Sequence, residues 1–136
     1  TITVGKGYTQ TVGMAATGTK VSTIVNILNE GSINLQAKKS IGMYVDKFTQ
    51  GKSTGSIKLS ALGDLGKDGT YGDAENVGIS NKGKFTFQGN LEVNGKKSSG
   101  IFITENSTNL FISSSFEAGL LASILYLLLN SFNILI

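Results

Sequence analysis

The stretch NEGSINLQAKKSIGMYVD, residues 29–46, contains two short patterns in which apolar residues alternate with other residues. The first, Gly31-Ser32-Ile33-Asn34-Leu35, is a glycine followed by apolar residues at every second position. The second, Ile41-Gly42-Met43-Tyr44-Val45, has its glycine inside an apolar segment. Alternation with a period of two is typical of a β-strand with one buried face. The stretch therefore predicts two strands joined by a short bend that contains lysine.

Both patterns recur along residues 1–113. The first pattern returns at 55–59 (GSIKL) and 83–87 (GKFTF), after 24 and then 28 residues, and the second at 12–16, 99–103 and, weakly, 77–80. Such intervals are too long for a hairpin meander but suit one coil of a solenoid, which takes roughly 20–30 residues. We therefore expect an all-β fold, a parallel β-helix of four or five coils. The alternation also leaves a β-sandwich with irregular hairpins open.

The β-helix interpretation predicts which apolar residues stack, because like strands of successive coils lie about 4.8 Å apart. One predicted stack contains Ile33/Leu35, Ile57/Leu59 and Phe85/Phe87, and a second contains Met14, Met43, Ile79 and Ile101. We expect the glycine that begins each first pattern to provide a bend with positive φ. Residues Gly51 to Thr54 are expected to form a polar bend that leads into the strand at 56–59.

Composition excludes several kinds of chemistry. The chain has no cysteine and no histidine, so it has no disulfide, no thiolate or imidazole metal ligand and no Ser-His-Asp triad. All 12 of its basic residues are lysines, and without arginine we expect no nucleic-acid partner. We also predict no catalytic residues, no metal site and no cofactor.

The segment QGKSTGSIKLS, residues 50–60, resembles two enzymatic motifs only in part. A phosphate-binding loop needs glycine at position 46, which is Asp46, and a helix after the lysine, where the sequence instead predicts a strand. A hydrolase elbow at Ser53 needs a histidine base and a following helix. Neither motif is complete, so we interpret Gly55 to Leu59 as the middle copy of the strand pattern.

Residues 29–46 and 81–106 resemble passenger-domain repeats of large Gram-negative autotransporter adhesins of the type V secretion class. In those repeats N-x-G-x-I-x-L is followed by a short lysine-containing bend and then S-x-G-(I/M)-(Y/F), and both stretches keep that order. The resemblance implies a right-handed parallel β-helix, a fragment of an adhesin that is secreted or exposed at the cell surface or outer membrane. It also implies attachment to a host or bacterial surface protein or glycan, without catalysis.

The segment ALGDLGKDGTYGDAEN, residues 61–76, interrupts the repeats and is predicted to be a loop that leaves the coil. We expect it to face a partner through five residues: Asp64, Lys67, Asp68, Tyr71 and Asp73. Its carboxylates fit neither known calcium-loop spacing, which favours a solvated loop. An alternative is a carbohydrate-active β-helix enzyme that uses Asp64, Asp68, Asp73 or Glu75 with a lysine.

The chain divides into a repeat region, 1–113, and a hydrophobic tail, 114–136, which its leucine and alanine content predicts to be helical. Three interpretations of this tail stay open. Residues 116–136 contact a membrane, which would make the chain a membrane-anchored structural protein; or they form a cap on the last coil; or they are the product of a frameshift.

Overall fold

The computed structural model describes residues 1–20 and 24–104, and the backbone of 110–112. These residues form twelve β-strands and no helix. The strands are β1 (Ile2–Val4), β2 (Val12–Ala16), β3 (Val25–Asn29), β4 (Ser32–Leu35), β5 (Ile41–Val45), β6 (Thr49–Ser53), β7 (Ser56–Leu59), β8 (Val77–Asn81), β9 (Lys84–Phe87), β10 (Asn90–Val93), β11 (Ser99–Ile103) and β12 (Leu110–Ile112).

Each strand pairs in parallel with the strand three positions along the chain. Sheet 1 has the order β1-β4-β7-β10, sheet 2 the order β2-β5-β8-β11, and sheet 3 the order β3-β6-β9-β12. Three strands therefore make one coil, and four coils stack within the described residues. This arrangement confirms an all-β fold of stacked parallel sheets, as in a β-solenoid, and excludes the antiparallel β-sandwich.

The core lies between the three sheets and consists mainly of aliphatic residues at alternate strand positions. Met14, Met43, Ile79 and Ile101 are register partners along sheet 2, as the sequence predicted. In sheet 1, Ile33 is the partner of Ile57 and Leu35 of Leu59, which confirms two thirds of the other predicted stack. The core residues that are almost completely buried are Ile33, Leu35, Met43, Val45, Ile57, Leu59, Ile79, Phe85, Phe87 and Ile101.

The prediction that Phe85 and Phe87 continue the Ile57/Leu59 stack is wrong. Those positions are taken by Leu91 and Val93 of β10. Phe85 and Phe87 belong to sheet 3, where their partners are Gly51 and Ser53. The glycine-plus-alternation pattern occurs before strands of both sheets, so the pattern alone does not say which sheet a copy joins.

The bend predicted at Gly51 to Thr54 is also wrong, because Thr49–Ser53 is strand β6. Its inward residues, Thr49, Gly51 and Ser53, are all buried although none is a large hydrophobe. A Cβ atom at Gly51 would overlap the Phe85 ring, so the glycine provides the space that this ring occupies in the next coil. Because these inward residues are small or polar, the strand does not show the apolar alternation by which the other strands were predicted.

The glycines that begin the first pattern have another role than the one predicted. Gly31, Gly55 and Gly83 lie outside the positive-φ region. At Gly55 a Cβ would overlap the carbonyl oxygen of Gly31, and at Gly83 it would overlap the carbonyls of Asp46 and Thr49. Gly55 and Gly83 therefore permit close approach of successive coils, whereas a Cβ at Gly31 would make only an ordinary contact of 3.8 Å with Thr1.

The predicted tail, 114–136, and its predicted helix lie outside the described residues. The division into repeat region and tail thus stays a prediction. The described part of the chain contains no helix with the length and apolarity needed to cross a bilayer.

Candidate partner-binding surface

The connections from sheet 1 to sheet 2 stack on one another and form one corner of the solenoid. They comprise residues 5–11, 36–40, 60–76 and 94–98 in coils 1 to 4. Coils 2 and 4 turn this corner in five residues, whereas coil 3 uses a connection that is twelve residues longer. We call the solvent-facing side of these four connections the corner surface.

One backbone device repeats at this corner in every coil. Gln10, Lys39, Glu75 and Lys97 all have left-handed backbone conformations, with φ between 53° and 57°. Each lies immediately before the residue that leads into a strand of sheet 2. Left-handed conformation is uncommon for residues other than glycine, and here it turns the chain at the same point of each coil.

A ladder of polar residues follows these left-handed residues and holds the corners together. The Oγ1 of Thr11 donates to the Oγ of Ser40 at 2.9 Å, and the backbone N–H of Ser40 donates to Asn76 Oδ1 at 3.3 Å. The backbone N–H of Asn76 donates to the Oγ of Ser98 at 3.0 Å. Each coil is thus joined to the next by at least one side chain, beside the backbone ladder.

Asn76 is the central member of this polar ladder and is completely buried. Its amide group donates to the backbone carbonyls of Ala61 at 3.0 Å and Asn94 at 3.3 Å. Ala61 belongs to the first part of the long connection, so Asn76 ties its two ends together. The residues between them can project from the coil without disturbing the sheets.

The projecting part, residues 62–73, is a tight excursion with its own hydrogen bonds. Leu65 and Tyr71 form an antiparallel bridge, and the N–H of Gly72 donates to the Asp64 carbonyl at 2.8 Å. At the tip, the N–H of Thr70 donates to Asp68 Oδ1 at 3.1 Å, and its hydroxyl donates to the same atom at 2.8 Å. The backbone hydrogen bond from Thr70 is the main cause that holds the pKa of Asp68 below its usual value, with the hydroxyl bond second.

Ion pairs brace this excursion against the coils on both sides. Lys38 Nζ of coil 2 lies 2.6 Å from Asp64 Oδ1, and Lys97 Nζ of coil 4 lies 2.7 Å from Asp73 Oδ2. The hydrogen bond and the charge of Asp73 raise the pKa of Lys97. A longer pair of 3.7 Å joins Lys39 to Glu75. The excursion is therefore linked by exposed ion pairs to the coil on each side.

The structure separates the five predicted partner-facing residues into two groups. Asp64 and Asp73 form the braces, and Asp68 stabilises the tip of its own turn. Lys67 and Tyr71 remain exposed on the corner surface, and Tyr71 is 44% exposed. Whether these residues contact a partner stays a prediction.

Sequence reasoning missed three exposed apolar residues on the same surface. Leu62 is 42% exposed, Leu65 62% and Tyr8 63%. The available signal was the pair of leucines in ALGDLG, which lie in a glycine- and aspartate-rich segment outside any alternating pattern. Tyr8 gave no signal of this kind, because only the stacking of coil 1 on coil 2 brings it to this corner.

One other feature has the shape of a ligand site. A shallow polar groove of about 340 Å³ lies at the corner between sheets 3 and 1 and is lined by residues that include Glu30, Thr54, Gln88 and Asn90. Within the part of the chain that the structure describes, no three carboxylates lie close enough together to hold a metal ion.

Comparison with known proteins finds no matching family model, no matching curated protein and no matching solved structure.

Proposed function

We propose that this chain is part of a surface-exposed or secreted adhesin of the autotransporter type, and that it acts by presenting a surface and not by catalysis. The single observation that carries this proposal is the braced excursion at residues 62–73 on a four-coil parallel solenoid. Loops held by a rigid scaffold are the usual place for binding residues. The partner is a protein or glycan on a host or bacterial surface.

The proposal includes a right-handed coil. Connections between parallel strands are right-handed in about 98% of cases because of the twist of the strands. The repeat resemblance of residues 29–46 and 81–106 agrees with this hand.

The alternative is a carbohydrate-active enzyme that uses carboxylates together with a lysine. Of its candidate carboxylates, Asp64, Asp73 and Glu75 are each paired with a lysine, and Asp68 is bound in its own turn. The pairs Lys38–Asp64 and Lys97–Asp73 are the kind of carboxylate and lysine combination that this alternative would use, and the polysaccharide assay below tests it. The membrane-anchored alternative depends on the tail, which lies outside the described residues.

The test uses a variant that lacks residues 62–73, so that Ala61 is joined to Ala74. The connection then has five residues, Ser60-Ala61-Ala74-Glu75-Asn76, the same length as 36–40, and keeps both Asn76 and the left-handed Glu75. We expect it to fold. Fluorescent beads coated with the native chain should adhere to cultured epithelial or bacterial cells. The adhesion of beads coated with the shortened chain should fall to that of albumin-coated beads.

A matched control changes an exposed lysine on another face, Lys52→Ser on sheet 3, and should adhere like the native chain. Equal adhesion by the native and shortened chains, or no adhesion above albumin, contradicts the proposal. Release of reducing ends from a panel of polysaccharides, lost in the shortened chain, would favour the enzyme instead.

A further inference from the structure

The corner surface carries an excess of positive charge. Its lysines Lys38, Lys39 and Lys97 are neutralised by the three ion pairs described above. Three further exposed lysines, Lys6, Lys67 and Lys96, have no carboxylate among the described residues within ion-pair distance. The fourth carboxylate of the surface, Asp68, stays ionised, because the hydrogen bonds from Thr70 lower its pKa and carry no charge of their own. Six lysines and four carboxylates on these connections leave a net charge of +2, so the surface as a whole is positive.

The same surface also carries the exposed apolar residues Tyr8, Leu62, Leu65 and Tyr71. The bridge between Leu65 and Tyr71 sets those two side by side. The carbonyl of Tyr8 accepts a hydrogen bond from the N–H of Lys38, and the side chain of Lys38 reaches Asp64, next to Leu65. These bonds place the backbone of Tyr8 beside Lys38, whose side chain reaches the excursion that carries Leu62, Leu65 and Tyr71.

We propose that the corner surface binds an acidic protein segment that also carries apolar side chains. This inference rests on the proposed function and names the class of its partner. Unmatched lysines attract carboxylates, and exposed tyrosine is a residue type enriched in protein interfaces. Leu62 and Leu65 favour a protein over a polyanionic glycan, since aliphatic side chains find their complement in other apolar side chains.

The primary experiment measures fluorescence anisotropy of a short labelled peptide that alternates Glu with Leu and Tyr. Two control peptides carry Gln in place of Glu, or Ser in place of Leu and Tyr. We expect each control peptide to bind about tenfold more weakly. Raising the NaCl concentration from about 50 mM to about 500 mM should weaken binding of the acidic peptide and leave binding of the Gln peptide almost unchanged.

Matched charge reversals locate the site. Lys67→Glu changes the corner surface, whereas Lys52→Glu makes the same change on the outer face of sheet 3. Lys67→Glu should weaken binding at least about tenfold, and Lys52→Glu should change it less than about twofold. Tyr71→Ala tests the apolar contribution, with circular dichroism and thermal unfolding used to show that each variant is folded.

Equal effects of the two charge reversals, or equal binding of the three peptides, would overturn the inference. Binding of dextran sulfate without binding of the acidic peptide would do so as well and would assign the surface to a polyanionic glycan. Bead adhesion separates the two proposals. Peptide binding without adhesion contradicts the adhesin function alone, and adhesion lost on removal of 62–73 without peptide binding contradicts the partner class alone.

Discussion

At the scale of single residues, the corner from sheet 1 to sheet 2 depends on two positions in each coil. One holds a residue with left-handed backbone, and the next holds a polar residue of the ladder that includes Ser40 and Asn76. The left-handed position costs conformational energy for any residue with a Cβ atom. The ladder position satisfies backbone groups that the turn leaves without sheet partners. The two positions therefore oppose each other energetically, and both can be tested.

Replacement of Lys39 by glycine should stabilise the protein relative to replacement by alanine. Both variants lose the 3.7 Å pair with Glu75, so their difference isolates the cost of a Cβ atom at a φ of 53°. We expect Lys39→Gly to be more stable than Lys39→Ala by about 0.5–1 kcal/mol in urea unfolding. The control is Lys58 in strand β7, where the order should be reversed. Alanine as the more stable variant at both sites would contradict the argument.

Removal of the Asn76 side chain should be among the most damaging single changes. Asn76→Ala leaves the N–H of Ser40 and the carbonyl of Ala61 without this partner in a buried place, while the Asn94 carbonyl keeps its bond from the Ser98 hydroxyl. We expect a loss of about 2–4 kcal/mol in the free energy of unfolding. Asn34→Ala is the control, because Asn34 Oδ1 is buried without a hydrogen-bond partner, and it should cost less than about 1 kcal/mol. Equal losses would show that the hydrogen bonds of Asn76 are unimportant.

At the scale of elements, the strands of sheet 3 show that packing between coils selects residue size. Along one inward column the partners are Ile27, Gly51 and Phe85. The large ring of Phe85 fits because Gly51 has no side chain. Such compensation across coils keeps the interior filled to ordinary density although no single residue type repeats.

This compensation predicts a coupled pair of substitutions. Gly51→Val should destabilise the protein by about 1–3 kcal/mol, because its side chain overlaps the Phe85 ring. Phe85→Leu alone should also destabilise, through the space it leaves. In the double variant, part of the Gly51→Val cost should be recovered. A double-mutant cycle in urea measures this coupling, and strict additivity would contradict direct packing between the two positions.

At the scale of the whole molecule, coils contact only their neighbours, so stability is close to a sum of coil and interface contributions. Exposed ion pairs add a smaller contribution that depends on pH. Glu92 on sheet 1 has a lowered pKa, chiefly through its hydrogen bond with Lys58, whose Nζ lies 2.8 Å away. Asp68 has a lowered pKa, and Lys97 a raised one.

The directions of these three pKa shifts predict that the free energy of unfolding is highest at neutral pH and falls at acidic and at alkaline pH. A carboxylate with a lowered pKa stabilises the fold above its unfolded pKa, 4.5 for Glu92 and 3.8 for Asp68, and this contribution is lost as pH falls through the folded pKa. The raised pKa of Lys97 stabilises below 10.5, and that contribution is lost as pH rises through its folded pKa.

Urea unfolding as a function of pH measures both ends of this profile. Glu92→Gln should flatten part of the acid decrease, and Lys97→Met part of the alkaline decrease. Glu30→Gln serves as a control, because the exposed Glu30 is in none of the ion pairs described here, and should leave the acid decrease largely unchanged. An acid decrease of the same size in Glu92→Gln as in the native chain would contradict the assignment.

The sequence by itself determined the strand alternation and the loop at 61–76 that interrupts it, and it favoured the parallel coil over a β-sandwich. Alternation at Ile33/Leu35 and Ile57/Leu59 is a local property that shows which residues point inward, and the recurrence of similar strands indicates stacking. The stack of Met14, Met43, Ile79 and Ile101 was predictable for the same reason.

Only the tertiary structure decided which copies of the pattern stack together and which polar residues remain available. Phe85 joins sheet 3 and Leu91 joins sheet 1 because register depends on the length of every corner and on complementary sizes across coils, as with Gly51. Asp64 and Asp73 looked like partner-facing groups in the sequence. The structure adds that stacking places lysines of coils 2 and 4 beside them, and proximity of that kind is not local in the chain.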